Sequence, residues 1–197
     1  APIMLVLRCT TKAFQKLGAR PQPAAVLLTD DNLGEWYVNT IDYINGGDLM
    51  LACMHTESLF ILMVPLQAEM DAADFGRAFR AHLFARLMEL ETPPEATDKI
   101  VAAYGTSTVL ARNNDRKVAG HLNAALAELD HLLDFPHLKL TDGDRLHVAR
   151  VEHRLNETPR ECSSKEPIWP LRAFWQSLVR LCPELPPRTT LPPTMLD

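Results

Sequence analysis

Two asparagines, an aspartate, two arginines and a lysine stand together in Arg112-Asn113-Asn114-Asp115-Arg116-Lys117. The residues before this run read as a strand and those after it as a helix. Arginine forks beside the amides of a helix start make a site for an anion, such as a carboxylate or a phosphate. Two further polar residues sit in apolar strand-like runs: Arg8 closes one and Asn39 lies within another. Buried polar groups must find hydrogen-bond partners. Arg8, Asn39, Arg112, Asn114 and Arg116 are therefore the candidate ligand site, converging on one anion. The alternative is structural: Asn114 or Asp115 caps the helix, and the rest pin helices to a sheet.

Other chemistry is sparse. There is no G-x-S-x-G, no phosphate-cradling glycine loop, no H-E-x-x-H and no C-x-x-C, so no catalytic residue, metal or cofactor is assigned. His55 and Glu57 flank a turn, a spacing that places a base beside an acid, although a plain surface turn fits the same residues. His131, His137, His147 and His153 lack the spacing of metal ligands on one face. Cys9, Cys53, Cys162 and Cys182 have no close pairing, and Cys9 and Cys53 read as buried free thiols.

These residues need elements to hold them. Ile3 to Arg8 reads as a buried strand, and Thr10 as the cap of a short helix stopped by Gly18. Glu35 to Ile44, Leu49 to Met54 and Ser58 to Pro65 read as three strands joined by short turns. Connections this short make an antiparallel meander, and the apolar character of both strand faces implies cover on both. Asp71 to Leu90 is a capped helix with Phe75, Phe79, Leu83 and Leu87 at helical spacing. Thr92 and Glu95 suggest a capping box with Pro94 opening the next helix. A strand at Ser107 to Arg112 leads to a helix at Lys117 to Leu133. Gly120 inside that helix suggests a close approach to a neighbour. Residues 138–155 read as a charged hairpin whose second arm runs from Arg145 to Leu155. The last forty residues are rich in proline and hold Trp169, Phe174, Trp175 and Leu178, too apolar to stay in water.

Three strings, Leu5-Val6-Leu7-Arg8-Cys9-Thr10, Leu33-Gly34-Glu35-Trp36-Tyr37-Val38-Asn39, and Arg112 to Gly120 with Asn123, together resemble a small bacterial family of unassigned function. The resemblance runs over about residues 5–133 and stops before Pro136. It implies an α+β fold and no known activity.

The 197 residues are 47% hydrophobic and 23% charged, which suits a folded core. A net charge of −5 argues against general nucleic-acid binding. No apolar run approaches the roughly 20 residues that span a bilayer, and the short N-terminal apolar stretch lacks a basic flank, so a cytoplasmic location is expected. The expected organisation is an α+β core at 1–136 with an antiparallel meander packed by helices, a hairpin at 137–158, and a docking tail at 159–197. The leading functional expectation is a non-enzymatic binding or regulatory module. It would act through a small anionic ligand or through a protein partner, including self-association by the tail. The rival is a nucleic-acid-processing or phosphoryl-chemistry enzyme of a mobile-element or defence system, built on Arg112 to Lys117.

Overall fold

The computed structural model describes residues 4–22, 34–41, 49–67, 70–133, 145–162 and 166–187. Among these, the chain runs β1 (Met4–Cys9), α1 (Thr11–Lys16), β2 (Trp36–Ile41), β3 (Leu49–His55), β4 (Ile61–Leu66), α2 (Ala72–Glu89), α3 (Pro94–Ala102), β5 (Ser107–Arg112), α4 (Arg116–Leu133), α5 (Arg145–Glu157) and α6 (Pro170–Leu181).

The five strands form one sheet in the order β4-β3-β2-β1-β5. The α+β class stands, and β2, β3 and β4 form the expected antiparallel meander. The sheet as a whole is mixed, because β1 pairs in parallel with both β2 and β5. Parallel pairing needs a long crossover. Residues 10–35, with α1, supply one; residues 67–106, with α2 and α3, carry the chain from β4 to the far edge.

Both faces of the sheet are covered. On one, Leu5, Leu7, Trp36, Leu51 and Leu62 join residues of α1, α2, α3 and α6 in a single apolar cluster. On the other, Tyr37, Ala52, Met54 and Met63 pack with Val118 and Leu122 of α4 and Val151 and Leu155 of α5. Trp36 is the hub of the first face. Its ring centroid lies 5.0 Å from Phe79, 5.9 Å from Phe174 and 5.1 Å from His55, and its Nε1 donates to the Tyr104 hydroxyl at 3.0 Å. Such edge-to-face aromatic packing adds to the area buried.

Helix ends follow the residue types. Thr10 accepts from the Ala13 amide, and Gly18 takes φ +59° just past α1. Asp71 and Asp74 form a reciprocal capping box on α2. Pro94 opens α3 as expected, but Thr92 makes no cap there: it is buried and Pro93 occupies the cap position. The close approach lies at Gly76 and not at Gly120. A Cβ on Gly76 would sit 1.8 Å from Thr108 Oγ1, whereas Gly120 faces open space.

Residues 145–157, expected as the second arm of a hairpin, form helix α5. The first arm and turn lie outside the described residues. Val148, Val151 and Leu155 recur at helical spacing, and that period prevails over the alternating charges between them. The same helix covers edge strand β4 with polar groups. Asn156 accepts from the Ile61 amide at 2.7 Å and donates to the Ile61 carbonyl at 2.8 Å. Glu152 accepts from the Met63 amide and also meets His82 Nε2 at 2.9 Å and Arg86 Nε at 3.3 Å.

Two outcomes are expected. Asn156→Ala strands a buried peptide donor and acceptor, each worth about 1–3 kcal/mol. Denaturant melts should show a loss in that range or above, and Asn156→Asp should recover part of it. The second concerns His82. Burial lowers its proton affinity, but Glu152 more than offsets this, Arg86 opposing and Glu89 assisting, so its pKa is raised. A raised folded pKa stabilises fully below the unfolded value of about 6.5, and the gain is lost as pH rises through the folded pKa. The stability gap between wild type and His82→Gln should therefore be larger below about pH 6 than above pH 8; a gap that grows with pH would contradict it.

Candidate functional site

The carboxyl ends of β1 and β5 lie side by side, with Cys9 opposite Arg112. From β1 the chain enters α1, whose Ala13 and Phe14, with Leu17 just past its end, belong to the first face. From β5 it enters α4, which packs on the second. Adjacent parallel strands whose following helices part to opposite faces leave a crevice beyond their carboxyl ends, the usual place for a ligand in such sheets. A cleft of about 910 Å³ lies there. Thr10, Thr11 and Gln15 of the α1 end, Arg20 of the following loop, and Arg112 and Asn113 of the β5 end line it. A second cleft, about 640 Å³, opens where α4 begins. It is lined by Glu35, Tyr37, Glu57, Asp115, Arg116 and Lys117, among others.

The five expected site residues do not meet at one ligand. Arg8 is buried, and its guanidinium donates through two nitrogens to the Glu35 carboxylate and through Nη1 to the Arg112 carbonyl at 3.2 Å. The Glu35 carboxylate raises the Arg8 pKa further. Asn39 Oδ1 accepts from Thr10 Oγ1 at 3.0 Å and from the Thr40 amide at 2.9 Å, while its Nδ2 donates to Asn123 at 3.3 Å. Asn114 Oδ1 accepts from the Tyr37 hydroxyl at 2.6 Å. Asp115 caps α4, accepting from the Lys117 amide at 2.8 Å. Arg112 and Arg116 are both exposed but line different clefts, the first the larger and the second the smaller.

Other residues also fall into place. His55 is fully buried against Trp36 and Phe174, its Nδ1 2.7 Å from Ser58 Oγ, so it is no surface residue. Glu57 pairs with Arg180 at 2.7 Å on the surface. Cys9 and Cys53 are free and buried, and burial pushes the Cys9 thiol up to about 12. Among the described residues, no three His, Cys, Asp or Glu side chains gather around a metal position. Of the expected docking residues, Phe174, Trp175 and Leu178 are buried in the chain's own core, and Trp169 remains 47% exposed. No helix among the described residues is long and apolar enough to cross a membrane.

Glu35 and Arg20 carried no assignment from sequence. The signal for Glu35 was the need of a strand-borne arginine for a buried counter-charge. Arg20 lies in a proline-rich loop with no local pattern to mark it. Removing one partner of a buried pair leaves an uncompensated charge, so Glu35→Gln should lose about 3–5 kcal/mol in denaturant melts, and Glu35→Gln with Arg8→Met should recover part of that loss.

No curated protein matches the chain. A family model described as Domain of unknown function (DUF6933) matches residues 6–173. The match extends well past Pro136, through α5 into α6, and takes in the lining of both clefts. The chain belongs to this family, the Domain of unknown function (DUF6933).

Proposed function

We propose that this chain is a non-enzymatic binding module that holds a small anionic ligand in the cleft beyond the carboxyl ends of β1 and β5. The observation that carries this reading is the pair Arg20 and Arg112 lining one cleft at a crevice between parallel strands. Both side chains are exposed, and neither is drawn into the Arg8–Glu35 pair. Guanidinium forks match carboxylate and phosphate oxygens two at a time. Thr11 and Asn113 add neutral polar groups beside them. In a chain of net charge −5, this local positive site is where an anion is drawn.

Binding without turnover is favoured by what the described lining offers. It contains neither a carboxylate nor an imidazole to move a proton. The one thiol, that of Cys9, is held in its neutral form by burial, and a neutral thiol is a poor nucleophile. The alternative phosphoryl chemistry would draw on Asn114 and Asp115, whose side-chain oxygens are engaged by Tyr37 and by the start of α4.

Thermal melts with inorganic phosphate, and separately with succinate, test the reading. A ligand at a hundred times its dissociation constant stabilises by about 2.7 kcal/mol, so the midpoint should rise with at least one probe. Arg112→Ala and Arg20→Ala should each abolish the rise, while Arg116→Ala in the smaller cleft should keep it. An absent response to both anions, or one that survives Arg112→Ala with Arg20→Ala, would sink the proposal.

A further inference from the structure

The cleft beyond β1 and β5 is larger than a simple anion needs. Its volume of about 910 Å³ lies near the top of the range of pockets that enclose a drug-sized molecule. Its charge is confined to two side chains, Arg20 and Arg112, and the described lining holds no carboxylate, lysine or histidine. The polar atoms at the strand ends are already used within the chain. The Cys9 thiol donates to the Leu7 carbonyl at 3.7 Å. The Thr10 hydroxyl accepts from the Ala13 amide at 3.2 Å and donates to Asn39 Oδ1 at 3.0 Å. The Arg112 carbonyl accepts from Arg8, and Asn113 Oδ1 accepts from the Asp115 amide at 3.1 Å. A second charged group on a ligand would find no partner there, and a desolvated charge without a partner is costly.

The remaining wall is apolar. Phe14 reaches it from the core, with Ala19 and Pro21 beside it. Gly18 contributes no side chain, and a Cβ there would meet nothing within 4 Å, so the cleft stays open over the end of α1. We propose that the ligand is an organic anion, with one phosphate or carboxylate head held between Arg20 and Arg112 and an uncharged apolar body laid against Phe14, Ala19 and Pro21. This deepens the binding reading above and rests on it. Phosphate and carboxylate share the head chemistry, oxygens facing guanidinium forks, and the experiment separates them.

The test is isothermal titration calorimetry of the full chain with paired probes: inorganic phosphate against phenyl phosphate, and acetate against phenylacetate. In the pair whose head fits, the phenyl compound should bind about ten-fold or more tightly, from the ring atoms it adds. Arg20→Ala with Arg112→Ala should abolish binding of that compound, since the ring alone has no anchor. Ala19→Leu fills the space of the body and should bring the ratio of the two affinities close to one. Gln15→Trp narrows the cleft from an exposed position and should do the same; it is the second probe if Ala19→Leu fails to fold, which circular dichroism melts establish. A parent anion that binds with no gain from the phenyl group would overturn the proposal and leave the binding reading standing. A gain that survives both cleft-filling variants, or the loss of both arginines, would overturn it too. Absence of binding by all four probes would overturn both.

Discussion

Because β1 lies between two strands that run in its own direction, neither neighbour can be reached by a tight turn. The chain must leave the carboxyl end of β1 through α1 before it begins β2, whose first residue Trp36 lies opposite Leu7, and β5 must be delivered by a separate route through α2 and α3. With α1 on one face and α4 on the other, the ends of β1 and β5 are left uncovered between them. The cleft with Arg20 and Arg112 is thus a consequence of topology before it is one of residue type. In the antiparallel half, β3 reaches β4 through residues 56–60 without a crossover.

The ion pair beneath this crevice decides which cations remain available. A guanidinium on a buried strand needs a carboxylate, or its desolvation outweighs what its packing contributes. Glu35 meets that need for Arg8, and the remaining nitrogen fixes the Arg112 carbonyl. The backbone at the end of β5 is thereby held from below while the Arg112 side chain stays exposed above. Asn39 does comparable work one strand over, tying the α1 cap residue Thr10 to Asn123 of α4. Polar residues of the three sequence strings therefore serve mainly to hold the rim in place, and fewer of them face the cleft.

Local patterns made most of the elements readable. Phe75, Phe79, Leu83 and Leu87 spell one helix face, and the short links after β2 and β3 leave only antiparallel pairing. What local pattern does not carry is partnership at a distance. Nothing near Leu5 says that its strand lies against Val109, more than a hundred residues on. His55 reads as a turn residue until Trp36 and Phe174 are seen to enclose it. Gly76 looks like any helical glycine, and only the crossing with β5 at Thr108 explains it. The site was legible in kind, as arginines at a strand-to-helix junction. Its membership was not, because Arg8, Arg112 and Arg116 part to three different places once the faces of the sheet are assigned.

Helix α5 shows the deepest reason for misreading. Its buried side includes Glu152 and Asn156, so it lacks the clean apolar stripe that marks a core helix. The sheet edge explains those residues. Peptide groups on one side of a strand recur every two residues, about 6.6 Å apart. Side chains four apart on a helix recur about every 6.0 Å. Glu152 and Asn156 therefore match the amides of Met63 and Ile61 in spacing as well as in chemistry. Pro65, the next residue on that side, brings no amide to satisfy. A strand edge that would otherwise pair with another chain is closed by two helix side chains. The polarity that makes α5 look like an exposed hairpin is the same polarity that lets it be buried.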